Sequence, residues 1–299
     1  MKNAIKYYYN LNPYEIHQIN KKYKFRISNN NYILYPYTRN LNEINELFEL
    51  HRYLLVMGIY CHQIILNINN EFITKINNTI YVLLKINMDN RKINIQDIVL
   101  FSNLQVDPSR FSTIKRQNWY QLWINKIDYI EYQISQFGKK YPLIRESSDY
   151  YIGIVENCIS ILANIKKDLT LTISHNRINK NTTTEEFYNP LNFIIDKRVR
   201  DISEYLKSFM LEEDIIQKLE NYIYQNNLSA NDIKLLFVRL IYPSSYFDTY
   251  ETIISDKQEE KEILKIINKH NIYEKSIKKI YHYLRSISDI PEIDWLMNN

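Results

Sequence analysis

The chain has 299 residues, 45% of them hydrophobic and 24% charged, with a net charge of +4 at pH 7. That length supports one large domain or two modest ones. The positive surplus is small, and Lys and Arg alternate with Asp and Glu, as in 256–265, so the chain lacks the concentrated basic stripe of a nucleic-acid binder. Only 3 glycines stand against 27 tyrosines and many Asn, Ile and Lys, a bias of the kind AT-rich codons produce. Apolar residues interleave the Asn runs, so these do not read as low-complexity tracts. Cys61 and Cys158 each sit in an apolar run and are expected as buried free thiols, with no disulfide framework or zinc site. Residues 1–7 lack the apolar centre of a secretory signal. No run approaches the ~18 apolar residues of a membrane span. The best stretch, 154–165, is broken by Glu156, Asn157 and Asn164. A cytoplasmic protein with no membrane span and no nucleic-acid partner is the expectation.

Taken in chain order, residues 23–28 alternate, Asn29-Asn30-Asn31 supply a turn tolerant of left-handed backbone, and 32–37 follow as a second strand ending near Pro36. The period then changes. Ile44, Leu47, Phe48, His51 and Leu55 fall at helical spacing over 41–55, with Glu43, Glu46, Glu49 and Arg52 mostly off that stripe. Asn40 or Asn42 can cap this helix. Strands return at 63–68, 71–76 and 79–86, separated by Asn69-Asn70 and Asn77-Asn78, pairs suited to tight turns. The polar run 87–92 reads as a linker. Beyond it the pattern predicts helices at 119–134, 151–166, 201–210, 212–224, 230–241, 257–270 and 276–287, around a short strand pair of which one strand reads at 169–174.

This order predicts an α+β chain of two lobes: a small five-stranded antiparallel lobe with one helix at 1–87, and a larger, mostly helical lobe at 88–299. It is the layout of protein-kinase-like and aminoglycoside-phosphotransferase-like folds, which by itself assigns no function. Five segments carry a closer resemblance: 119–131 (WYQLWINKIDYIE), 149–157 (DYYIGIVEN), 190–205 (PLNFIIDKRVRDISEY), 239–247 (RLIYPSSYF) and 290–296 (IPEIDWL). In that order they resemble the kinase-like proteins associated with the bacterial endospore coat, a family itself similar to the aminoglycoside phosphotransferases. The resemblance spans nearly the whole chain. It implies a two-lobed kinase fold, a sporulation or spore-coat role with protein partners, and a spore-associated location.

Phosphoryl transfer in such a fold needs a phosphate-holding lysine on the third strand, a helix glutamate to hold it, and a glycine-rich loop. It also needs a catalytic-loop aspartate, and an Asn and Asp for magnesium. On the resemblance, the lysine position falls at Tyr35, which carries no fixed positive charge; Lys24 and Lys85 are the substitutes. Glu46 is the candidate helix glutamate, with Glu43 and Glu49 as alternatives, and a solvated acidic face as the plain reading. Gly58, Gly138 and Gly153 all lie outside the first hairpin, so the phosphate-gripping loop is missing. The loop His175-Asn176-Arg177 keeps the histidine, but Arg177 stands where the aspartate belongs, and a guanidinium cannot accept a proton. A satisfied core histidine is the plain reading of His175. Thr182 occupies the asparagine position, with Asn181 one residue off. Glu186 and Asp196 are the metal candidates, with Asn189 a weaker neutral one. Asp201 is expected to be buried and structural, capping a helix behind the loop.

ATP with Mg²⁺ is the cofactor the resemblance would supply, and no intact motif supports it. Three functions remain open: a pseudokinase kept for binding or scaffolding, an atypical ATP-dependent phosphotransferase, and a helical interaction module without nucleotide.

Overall fold

The computed structural model describes residues 1–87, 90–116, 118–165 and 169–297. Its elements begin α1 (Lys2–Tyr9), β1 (Ile16–Ile19), β2 (Lys22–Ile27), β3 (Asn30–Pro36), α2 (Glu43–Val56), β4 (Gln63–Ile65), β5 (Thr74–Ile76) and β6 (Thr79–Ile86). Next come α3 (Ile95–Ser102), α4 (Trp119–Phe137), α5 (Pro142–Ala163), β7 (Leu171–His175), α6 (Thr184–Phe187), β8 (Phe193–Lys197), α7 (Arg200–Lys207) and α8 (Ile215–Gln225). The chain ends with α9 (Ala230–Ile241), α10 (Ser244–Ile254), α11 (Leu264–Ile267), α12 (His270–Ile287) and α13 (Asp294–Met297). Two compact units form. The first comprises Met1–Asn94, Val106–Lys115 and Ile173–Asp196; the second comprises Ile95–Gln105, Arg116–Thr172 and the chain from Lys197 onward.

In the first unit the strands run β1-β2-β3-β6-β4, with β5 also on β6, all antiparallel. Asparagine here does the turn work that glycine does elsewhere. Asn20, Asn70, Asn77 and Asn78 all take positive φ, and the Asn77-Asn78 pair, at 47° and 62°, joins β5 to β6 in the doubly left-handed form that suits a twisted hairpin. The β2–β3 turn is centred on Ser28, φ 52°, one residue before the expected Asn cluster. α1 covers one face of the sheet: Ile5 and Tyr9, one helical turn apart, join Phe25, Leu34, Ile76, Tyr81 and Leu83 in a buried core. Tyr9 hydrogen-bonds Thr74 through their hydroxyls at 2.8 Å.

The expected order of strand, strand, helix and three strands holds for β2 to β6, and the fold class stands. α1 and β1 add to it, making six strands and a second helix. β1 was illegible because three of its four residues are exposed, so the burial alternation that marks a strand is absent. Met88 and Asp89, in the expected linker, lie outside the described residues.

The second unit is helical. α5 begins at Pro142, nine residues earlier than the sequence pattern indicated, with proline in the first-turn position where no N–H is needed. Its last expected residue, Lys166, lies outside the described residues. α9 opens on a reciprocal capping box between Ser229 and Asp232. The Cys158 thiol on α5 donates to the Val238 carbonyl of α9 at 3.5 Å. Both cysteines are free and buried. The expected helix 257–270 is instead a 3₁₀ turn, Glu260–Ile263, leading into α11. Among the described residues no helix is long and apolar enough to cross a membrane.

Candidate functional site

Strand β2 alternates Lys22, Lys24 and Arg26 on one face with Tyr23, Phe25 and Ile27 on the other. Register places Lys24 opposite His17 on β1 and Ile33 on β3, and Ile33 opposite Leu84 on β6. Cross-strand partners share a face. Lys85 pairs with Tyr32, itself the partner of Phe25, so Lys85 projects on the α1 face, opposite to Lys24. Tyr35 lies on the Lys24 face, and the Lys22 ammonium sits 4.4 Å above its ring centroid. The cation over Tyr35 thus belongs to the neighbouring strand. Lys22 passed unnoticed in the sequence because only the register brings it to Tyr35. Lys24 and Arg26 line an open cavity of about 570 Å³ that also meets His17, Ile33 and Glu185. The Lys24 ammonium is not free within it: it lies 2.7 Å from both carboxylate oxygens of Glu185.

Glu46 projects from α2, and among the described residues its carboxylate meets the loop 112–114 rather than a lysine. Its Oε1 accepts from the Ser112 amide at 3.1 Å, the Ser112 hydroxyl at 3.2 Å and the Thr113 amide at 3.0 Å. Its Oε2 accepts from the Thr113 and Ile114 amides at 2.9 and 3.1 Å. Burial works to raise its pKa, yet the Thr113 and Ile114 amides, with the Thr113 and Ser112 side chains, outweigh it and hold the carboxyl below its ordinary range. The same loop continues onto β8, where the Ile195 amide donates to the Ile114 carbonyl at 3.1 Å. Glu43 pairs with Arg39, whose guanidinium also donates to the carbonyls of Leu191 and Phe193 at 2.9 and 2.7 Å. Glu49 is exposed.

β7 delivers His175 into a buried position. Its ring stacks on Phe187 at 3.9 Å and Nε2 donates to the Phe187 carbonyl at 2.8 Å, the geometry of a satisfied core histidine. The Asn176 amide donates to the Asn192 carbonyl at 2.9 Å, and Arg177 is exposed. Thr182 is buried, its hydroxyl accepting the Asn179 N–H at 2.9 Å and so closing the loop. Asn181 accepts from Lys92 at 3.2 Å. The segment after the loop then zips onto the linker: the Ile93 amide donates to the Thr182 carbonyl at 3.0 Å and the Thr184 amide to the Arg91 carbonyl at 2.8 Å. His62, another residue the sequence did not single out, clamps α6, donating from Nε2 to the Glu185 carbonyl and from its amide to the Tyr188 carbonyl, both at 2.9 Å.

Glu186 is exposed on α6. Asn189 is buried and accepts the Leu191 N–H at 2.9 Å, a local turn. Asp196 is buried on β8. Asn176 bonds Asn192 at one end of the β7–β8 pair and Arg198 bonds Thr170 at the other, so the strands are antiparallel and Asp196 falls towards the end remote from His175. Among the described residues no three His, Cys, Asp or Glu side chains are grouped to hold a metal ion. Asp201 is buried in the first turn of α7, in the second unit.

Residues 2–282 match the pattern of the family described as "Spore coat putative kinase YutH". This chain belongs to that family. The endospore coat-associated protein YutH of Bacillus subtilis (strain 168) is 26% identical over 209 residues, which span 60% of this chain and 61% of that protein. Among solved structures, the aminoglycoside phosphotransferase of Alicyclobacillus acidocaldarius aligns with a TM-score of 0.73 at 8% identity, covering 96% of this chain and 95% of that one. Spectinomycin phosphotransferase APH(9)-Ia, in complex with ADP and spectinomycin, aligns at 0.60 and 11% identity over 94% and 96% of the two chains. Amicoumacin kinase hAmiN, in complex with AMP-PNP, Ca²⁺ and Ami, aligns at 0.55 and 14% identity over 99% and 96%. Identities this low show the fold alone.

A Mg²⁺–nucleotide requires a cationic phosphate grip and a proton-accepting or metal-binding carboxylate at the loop. The residues present do not fit that set. The loop offers Arg177, Glu46 is taken by backbone amides, and Lys24 is neutralised by Glu185.

Proposed function

We propose that this protein is a kinase-like fold kept for binding or scaffolding in a spore-coat or sporulation setting, with phosphoryl transfer lost. The observation that carries this reading is the capture of Glu46 by the amides of Thr113 and Ile114. A glutamate that positions a phosphate lysine must be able to meet an ammonium group; this one holds a loop in place instead. Arg177 at the loop and the Lys24–Glu185 pair point the same way. Family membership and the coat-associated relative supply the setting, and a protein partner is the natural binding target for such a fold once chemistry is gone.

A second reading keeps one specific support. Lys24 and Arg26 line the cavity on the sheet face, so an atypical phosphotransferase would use Lys24 as its phosphate lysine after breaking the Glu185 pair. The third, a helical module without nucleotide, called for a chain lacking the N-terminal sheet, and the six-stranded sheet counts against it.

Thermal unfolding with and without millimolar ATP and Mg²⁺, on the natural chain and on Arg177→Ala, separates the first two. A ligand at ~100 times its Kd stabilises by about 2.7 kcal/mol, a shift of a few degrees in a chain of this size. The scaffold reading expects no shift in either protein. A reproducible shift abolished by Lys24→Met would favour the atypical enzyme.

A further inference from the structure

Leu55, Val56, Met57, Tyr60, Leu66 and Ile68 are all exposed, Val56 by 86% and Tyr60 by 70%. Single exposed apolar residues are ordinary on a protein surface, but a cluster marks a contact surface. Two of these residues, Leu55 and Leu66, line an open groove of about 390 Å³ together with Phe48, Arg52 and Ile64. The groove runs between α2 and β4, the edge strand of the six-stranded sheet, and lies wholly in the first unit. The kinase-like reading gives it no role.

An apolar groove does not say what covers it; the charges beside it do. Of the glutamates on α2, Glu43 pairs with Arg39 and Glu46 is held by the loop 112–114. Glu49 and Arg52 remain. Both are exposed and three residues apart on the helix, and neither side chain has a hydrogen-bond or ion-pair partner among the described residues. A matching partner must set a cation against Glu49 and an anion against Arg52. The α2 helix of a second copy, run antiparallel, does so, because a two-fold axis makes residue i meet j and j meet i. With the axis passing level with Leu50 and His51, Glu49 of each copy meets Arg52 of the other, giving two ion pairs. The same axis brings Leu55 of each copy within one helical turn of Phe48 of the other, so the apolar groove and the exposed end of α2 are covered together.

We propose that α2 and its groove pair with the same face of a second copy, making a two-fold dimer. The inference stands whether or not phosphoryl transfer is lost. One helix face and one groove make an interface at the small end of the ~1,200–2,000 Å² class, so the association is micromolar.

Sedimentation equilibrium of the whole chain from about 1 to about 100 µM tests it. The expected result is a monomer–dimer equilibrium with no larger species, because an isologous contact closes. Glu49→Arg and Arg52→Glu each weaken the dimer tenfold or more by setting like charges opposite each other, with unfolding temperatures unchanged, since neither side chain is paired within the chain. Mixed one to one, the two variants form a heterodimer, and the double swap Glu49→Arg with Arg52→Glu restores the homodimer. Val56→Asp weakens it tenfold or more. A monomer mass at every concentration would overturn the proposal. So would a dimer indifferent to the single variants, or single variants that neither the mixture nor the double swap rescues. A mass that keeps growing past the dimer would overturn it too, since that marks open pairing along the β4 edge.

Discussion

The Thr113 amide bridges both carboxylate oxygens of Glu46, at 3.0 and 2.9 Å. That single N–H ties α2 to the loop 112–114 within the first unit, and the amides of Ser112 and Ile114 complete the grip. Hydrogen bonds to a charged acceptor are about twice as strong as neutral ones. Glu46→Gln keeps the shape but removes the charge and one acceptor, so it should destabilise by about 1–2 kcal/mol in urea unfolding. The pH dependence rests on the lowered pKa. The unfolded carboxyl, near ~4.3, binds protons before the folded one does. The Glu46 contribution is therefore complete above that value and fades as pH falls through the lower folded pKa. Natural and Glu46→Gln proteins of equal stability at pH 7 would contradict this account of α2.

Lys24 and Glu185 should couple. Their side chains are 30% and 18% exposed, so the pair is only partly screened. A double-mutant cycle with Lys24→Met and Glu185→Gln should return an interaction of about 1 kcal/mol, diminishing at 1 M salt. A coupling near zero would mean the ammonium is free for other work, which favours the atypical-enzyme reading.

His51 on α2 is 3% exposed, and neither ring nitrogen finds a partner. Burial pushes its pKa down to about 4. The unfolded imidazole, near ~6.5, takes up its proton first as pH falls. Stability should thus be full above pH ~6.5 and decline between there and the folded value, by up to about 3 kcal/mol from this group. His51→Leu, similar in volume and without unmet nitrogens, should flatten that decline between pH 7 and 5 and match or exceed the natural stability at pH 7. Urea midpoints measured across that range decide it; an undiminished acid slope in the variant would rule out His51 as its source.

Asn78→Ala should cost about 1–2 kcal/mol, because alanine resists the φ of 62° held there, whereas Asn78→Gly should be close to neutral. Thermal unfolding of the two variants checks the contrast.

The turn prediction at Asn77-Asn78 came straight from residue type, because few side chains tolerate that backbone. β2 and β3 were legible from alternation, and α2 from a helical stripe whose Ile44, Leu47 and His51 are buried. α10 was missed because its segment Ser244–Ile254 mixes Ser, Asp, Thr and aromatic residues. β8 was expected as the partner of a strand pair but not placed, because a five-residue run with four residues buried carries no period. The site divided along the same line. Arg177 could be weighed from residue type alone, because a guanidinium excludes base chemistry. That Lys85 faces away from Lys24, that Lys22 covers Tyr35, and that Glu46 is held by 112–114 depend on register and on a loop more than sixty residues away.

The central claim is that the kinase-like fold no longer transfers phosphate. The most direct measurement is release or transfer of labelled γ-phosphate from ATP by the purified chain, with Mg²⁺ or Mn²⁺, beside Lys24→Met. The account predicts turnover indistinguishable from the protein-free background in both. Turnover by the natural chain that disappears in Lys24→Met would contradict it and make this protein an atypical phosphotransferase.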